Sequence, residues 1–335
     1  IGFPLPFTLV CESGIGMLIM GLGMMAAWGH FLLRDPIGRL AFTRHFTLET
    51  MQASMVWVYP AYAYVFNELS GGRQIAAMAL LPVIKTFYKN AFARMLRERQ
   101  DLQPCLVVFS AELYHVLFLS WCMNGSVSKA TIVSFMLVDV LEAVIALHEV
   151  DNAVVRITSS VTASVNVHGL SACSSLVDLA VAAQQSMITS DSSADTAIFR
   201  EFVHHSARLL YLTEFVLLIE FTEVMIPCMY SLYLLAAYHL PNRVYLNIIH
   251  DKSIEEISYN IFALLGYSSL EIVSLTVLGV ILQRRTRVSV LRQLAFVLET
   301  NWALVQANIC LWVTLAMQAP LEHYGVDFSF QFKWL

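Results

Sequence analysis

Charged side chains are scarce in this chain. They make up 13% of its 335 residues, and hydrophobic residues make up 58%; soluble domains carry roughly 25% and 45–50%. Mean hydropathy is +0.64. A water-soluble fold of this length has nowhere to hide so much apolar surface, so an ordinary soluble domain is excluded. The net charge is −5 and no basic stripe stands out, which excludes nucleic acid as a partner. The six cysteines (Cys11, Cys105, Cys122, Cys173, Cys228 and Cys310) form no C-x-x-C pair and lie mostly in apolar runs. They read as free thiols acting as small hydrophobes, with neither a zinc site nor a disulfide framework.

Enzyme motifs are missing as well. There is no G-x-S-x-G, no Walker A loop, no dinucleotide-binding glycine pattern and no H-E-x-x-H, since His148-Glu149 lacks its second histidine. Gly14-Ile15-Gly16 and Gly21-Leu22-Gly23 fall inside an apolar run, where they serve close helix packing rather than phosphate binding. His204-His205 reads as a solvated helix start. No cofactor is expected, and an intramembrane enzyme has the least support of the available readings.

What the chain does have is long hydrophobic runs. A spanning helix needs ~20 mostly apolar residues, and the runs 7–28, 47–68, 74–93, 102–123, 130–149, 209–240, 258–282 and 293–318 meet that need. The third is the weakest, because Lys85 and Lys89 lie in it and would suit an interfacial segment. The expected fold is an all-α polytopic transmembrane bundle of about eight spans, forming one domain over residues 1–335. Basic residues collect on the cytoplasmic side of membrane proteins. With eight spans, Arg34, Arg39 and Arg44, then Lys89, Arg94, Arg97 and Arg99, then Arg284, Arg285, Arg287 and Arg292 all fall on one side. Residues 150–208 fall there too, as a cytoplasmic loop with a short amphipathic helix over 176–187 and a flexible polar turn over 189–196. The opposite side receives 124–128, with the glycosylation-type sequence Asn124-Gly125-Ser126, and also 241–256 and the aromatic-rich 321–335. That last segment suits a membrane interface or a protein contact. The chain begins with Ile1 rather than Met and reads as a piece of a longer precursor.

Several blocks carry a resemblance: ALLPVIKTFYKN (79–90), LTEFVLLIEFTEVMIPCMYSLYL (212–234), HLPNRVY (239–245), RQLAFVLETNW (292–302) and LEHYGVDFSFQFKWL (321–335). In motif order and style they resemble a large family of multi-pass membrane proteins of oomycetes to which no activity is attached. The resemblance implies a multi-pass membrane protein and transfers no functional residue.

Acids are the chemistry-bearing feature. Glu12, Glu112, Asp139, Glu142, Glu220, Glu223, Glu271 and Glu299 fall at or near membrane depth, against Lys85 and His115. Ionisable groups at that depth are expensive and mark ion or proton pathways by default. One lysine cannot neutralise so many carboxylates, so some are protonated, share bound cations or line water; alternatively they act as hydrogen-bonded glue between helices. Glu220 and Glu223 are three apart and face the same way, whereas Glu214 projects about 120° from Glu220. That places the sixth run among protein neighbours or sets Glu214 at the interface. The run of 209–240 is also longer than a straight span requires, which predicts tilt, extension or a kink near Pro227. Asp139 and Glu142 share a face of the fifth run, and Glu299/Gln306 and Asn301/Asn308 form two stripes on the eighth. The expected pathway residues are Glu220, Glu223, Glu271, Glu299, Asp139 and Glu142.

Two Glu-x-x-His matches, Glu112/His115 and Glu201/His204, with Glu49 and Glu142 as partners, spell a di-iron pattern. Their unequal depth argues against it, and Glu112 and His115 remain the weak metal candidates. Two functional readings stay open. One is a cation- or proton-coupled transporter or channel. The other is a non-catalytic scaffold, as a homo-oligomer or beside other membrane subunits. In both, the partner of the outer surface is the lipid bilayer.

Overall fold

The computed structural model describes residues 8–69, 77, 80–96, 103–123, 129–164, 193–246, 248–286 and 289–318. Among them every extended element is a helix. In chain order these are α1 (Thr8–Arg34), α2 (Pro36–Glu68), α3 (Leu80–Met95), α4 (Gln103–Val107), a π-helical turn (Val108–Glu112), α5 (Leu113–Met123), α6 (Lys129–Ser164), α7 (Ser193–His239), a 3-10 turn (Pro241–Tyr245), α8 (Ile254–Thr286), α9 (Val290–Thr300) and α10 (Trp302–Gln318).

Local chemistry sets the helix ends. Asp35 caps α2 by accepting from the Ile37 amide at 3.0 Å, with Pro36 at the first helical position. α7 stops just before Pro241, which cannot donate and disfavours a helical residue before it. α8 opens on a reciprocal box: Ser253 Oγ accepts from the Glu256 amide, and Glu256 Oε2 accepts from the Ser253 amide. Inside the helices, hydroxyls bond back to their own turn. Thr47 donates to Thr43, Thr222 to Ile219 and Ser231 to Pro227. These hydroxyls thus find a partner within their own helix, as a low-dielectric surrounding favours.

The α2 cap yields a paired prediction. Asp35→Ala should cost about 0.5–2 kcal/mol, the usual value of a helix cap. A Cβ added to Gly38 would lie 2.8 Å from Asp35 Oδ2, so Gly38→Ala should displace the same cap, although alanine ordinarily favours a helix. Thermal unfolding in detergent reads both, and a Gly38→Ala protein more stable than wild type would refute the coupling.

The core is built around residues 103–120, of which 89% are buried. α7 packs against α8, α6, α5 and the π turn. α2 meets α1, α3 and α5, and α10 closes on α4, α5 and the π turn. A second apolar cluster joins Val150 of α6, Leu209 and Val216 of α7, Leu278 and Leu282 of α8, and Val290 of α9. It joins the middle stretches of α6 and α7 to the end of α8 and the start of α9. The outside is apolar: Leu22 and Phe31 of α1, Leu232 of α7, and Phe262 and Val273 of α8 are all exposed.

Among the described residues, three helices are long and apolar enough to cross a membrane: Gly14–Arg34, Gln103–Ser120 and Ile254–Arg284. There are four if Val290–Thr300 and Trp302–Leu311, bent by 78°, form one broken span. Most of the other expected spans meet helices that carry acids or are short. α6 holds Asp139 and Glu142, α7 holds Glu214, Glu220 and Glu223, and α3 has 16 residues, ~24 Å at ~1.5 Å each.

Several expectations are corrected. The eighth run is not one straight helix: it breaks at Asn301, which divides the Glu299/Gln306 and Asn301/Asn308 stripes between two helices. Residues 150–208 are not a loop at either end, because α6 continues to Ser164 and α7 starts at Ser193, so the expected turn over 189–196 is helical in its second half. α7 runs unbroken through Pro227 for 47 residues, and extension absorbs the excess length of the run. Of the expected glycine contacts, Gly21 packs where an added Cβ would come within 3.3 Å of the Phe46 ring, while Gly14, Gly16 and Gly23 face open space. The amphipathic segment 176–187, the glycosylation-type sequence at 124–126, the Glu12 side chain and the aromatic 321–335 lie outside the described residues.

Candidate functional site: a buried carboxylate cluster around Lys85

Lys85 and Lys89 are one turn apart on α3 and point the same way. Lys85 is 1% exposed. Its Nζ lies 2.8 Å from Glu142 Oε2, 2.9 Å from Glu112 Oε2 and 4.0 Å from Glu223 Oε1. Lys89 Nζ lies 2.8 Å from the other Glu112 oxygen and 5.0 Å from the centre of the Phe215 ring. The bond from Lys85 to Glu142 is a well-formed hydrogen bond. The contacts to Glu112 are ion pairs at hydrogen-bond distance without that alignment.

Glu112 reaches both lysines from the last position of the π turn. There the Leu113 amide reaches back to the Val108 carbonyl, five residues earlier. The extra residue in the turn shifts the face on which the following side chains project, and such turns concentrate at functional positions. The same turn holds Ser110, whose hydroxyl accepts from Gln52 Nε2 at 2.6 Å; Gln52 in turn lies 3.4 Å from Asn308 Oδ1. α2, the π turn and α10 are thereby tied beside the lysines.

The second half of the cluster sits between α7 and α8. One carboxylate oxygen from each of Glu220, Glu223 and Glu271 lies within 4.8 Å of the other two. All three residues are buried, at 2%, 5% and 7% exposure. Tyr267, one turn before Glu271, donates its hydroxyl to Asp139 Oδ2 at 2.7 Å and lies within reach of Glu271. Ser274 lies within hydrogen-bond reach of Glu220, yet Glu220 Oε2 is buried without a partner.

Depth follows from helix arithmetic. Glu220 lies eleven residues beyond Leu209, about 16 Å along α7, and Glu223 lies sixteen before His239, about 24 Å. Asp139 is likewise eleven residues before Val150 on α6. The site therefore sits well inside helices that continue beyond it in both directions.

Of the six pathway residues expected from sequence, the structure brings Glu220, Glu223, Glu271, Asp139 and Glu142 together. Glu299 stands apart, exposed on α9 before the break at Asn301. The di-iron pattern does not assemble: Glu49 and His204 are exposed, and lysine nitrogens sit against both Glu112 oxygens. His115 is buried, with Nδ1 unpartnered. Glu214, six residues before Glu220, is half-buried.

Sequence reasoning undervalued Lys85 and missed Lys89, Gln52 and Tyr267 as parts of the site. The available signal was the i, i+4 lysine pair in an apolar run, with Gln52 inside another. Chemically, six carboxyl groups meet two ammoniums. An uncompensated buried charge is costly, so the surplus carboxyls are suited to hold protons or a cation. Comparison with protein-family models, curated proteins and solved structures gave no match.

Proposed function

We propose that this chain is a multi-pass membrane protein of about eight spans, within which Glu220, Glu223, Glu271, Asp139 and Glu142 handle a cation or protons in transit. The observation that carries the reading is the convergence of acids from α6, α7, α8 and the π turn on one deep site where Lys85 and Lys89 supply too little positive charge. Structural glue needs acids matched to donors across helix contacts. A surplus gathered at one depth instead suits a group that binds and releases positive charge.

Two further features support the membrane placement. The exterior is apolar along α1 and α8, which suits lipid contact. Arg208 and Arg284 flank the apolar cluster that gathers the middle of α6 and α7 with the end of α8, in keeping with one basic, cytoplasmic face. In this reading the acid-bearing helices α6 and α7 also cross the bilayer. Their carboxyls lower their hydropathy but are turned toward protein.

The test is flux through the purified protein in liposomes, under imposed proton and metal-cation gradients. Uptake above that of empty liposomes is expected. No uptake under any gradient would sink the transport reading and favour the scaffold. One observation bears on that second reading: the 14–34 stretch of α1 is only 11% buried and α1 packs chiefly on α2, so its apolar face suits either lipid or a second membrane subunit.

A further inference from the structure

We infer that Glu220, Glu223 and Glu271 form a binding site for one hard divalent cation of the Ca²⁺ or Mn²⁺ class; the inference deepens the transport reading and rests on it. Three observations carry it. The first is geometric: one oxygen from each carboxylate lies within 4.8 Å of the others. Two oxygens on opposite sides of one Ca²⁺ lie ~4.6–5.2 Å apart, twice the Ca–O distance, and adjacent ones lie closer. A single ion can bridge all three oxygens with little movement.

The second observation is an orphan. Glu220 is 2% exposed, and its Oε2 has no hydrogen-bond partner. A buried carboxylate oxygen without a donor is costly unless something unseen satisfies it.

The third is that the neighbouring cation is already engaged. Lys85 Nζ makes its close contacts to Glu142 and Glu112, at 2.8 and 2.9 Å, and reaches Glu223 at 4.0 Å. Glu223 therefore stands between a lysine-held half and a half without a lysine.

The donor chemistry sets the class. The three ligands are oxygens, with neither imidazole nor thiolate, which favours hard ions over zinc or copper. Ser274 beside Glu220 and Tyr267 beside Glu271 are placed to steady the carboxylates from outside, as metal ligands require. A divalent ion would offset most of the surplus acid charge. It would also compete with Lys85 for Glu223, so loading the site and loosening that ion pair are linked.

The experiment titrates Mn²⁺ alone into the purified 335-residue chain in detergent and follows the free-ion electron paramagnetic resonance signal, with Ca²⁺ as competitor. One saturable site per chain, displaced by Ca²⁺, is expected. Affinity should fall at least tenfold in Glu220→Gln and Glu271→Gln and be unchanged in Glu255→Gln, whose side chain is exposed at the start of α8. Glu271→Asp keeps the charge but shortens the reach, so it should weaken binding even if a glutamine variant does not fold. Absence of saturable Mn²⁺ binding to wild type overturns the inference, as does binding unaffected in every folded variant of the triad. Saturable binding without flux keeps the site and sinks transport. Proton flux without bound Mn²⁺ keeps transport and sinks the site.

Discussion

Lys85→Met should be among the most destabilising single substitutions in this protein, costing ~3–5 kcal/mol, the range for breaking a buried ion pair by removing one partner. Lys85 is essentially inaccessible and faces three carboxylates. Methionine fills a similar volume but leaves those acids with less positive charge. Glu142 can relax outward, since its side chain is 36% exposed, and Glu112 keeps Lys89. Glu223, buried beside Glu220 and Glu271, has no such exit. In detergent the loss should lower the melting temperature by on the order of 10 °C. Lys89→Met should cost less, because that side chain is 23% exposed. The double variant Lys85→Met/Glu223→Gln should recover part of the loss, because it removes the carboxylate left without an exit: replacing a buried pair as a whole is far cheaper than orphaning one member. A Lys85→Met protein melting with wild type would show that the ion-pair network does not hold the bundle.

Glu223→Gln should reduce flux in proteoliposomes at least about tenfold, equivalent to a barrier raised by ~1.4 kcal/mol or more, while the protein still folds. The substitution is nearly isosteric. It removes the carboxylate that stands both 4.0 Å from Lys85 and within the three-glutamate group. Lys85 keeps its two closer partners, so stability should change much less than on loss of the lysine. Flux and melting temperature would then separate the two proposed roles, Lys85 in holding the interior together and Glu223 in passing charge through it. Wild-type flux in Glu223→Gln would move the pathway away from this cluster. Glu255→Gln, far along α8 and exposed, should leave flux unchanged.

Much of this was legible in the chain itself. Long apolar runs dictated helices because a chain in a low-dielectric setting must satisfy its backbone internally, and all eight expected runs meet helix within the described residues. The three-residue spacing of Glu220 and Glu223 put both on one face by helix geometry alone, and the same held for Asp139 and Glu142. Some local features were less visible. The break at Asn301 falls on Glu299-Thr300-Asn301, a polar interruption of an otherwise apolar run that was read as one span. The π turn at Val108–Glu112 depends on one amide finding a carbonyl five residues back rather than four, a choice made by packing around a segment that is almost wholly buried.

The sequence by itself determined that the chain is helical, rich in apolar surface and carries acids within its apolar runs, because these follow from composition and from a periodicity of 3.6 residues. Only the tertiary structure decided which acids meet. Glu271 joins Glu220 and Glu223 through the packing of α8 on α7, and Glu299 is left out because α9 holds it on an exposed face. Lys85, which sequence alone counted as a base at membrane depth in the weakest of the expected spans, becomes the centre of the site because α3 lies against the segment of α4 and the π turn that carries Glu112. Contacts between residues 85, 112, 142, 223 and 271 are fixed by how helices dock, and helix docking depends on the shapes of whole faces rather than on any local pattern along the chain.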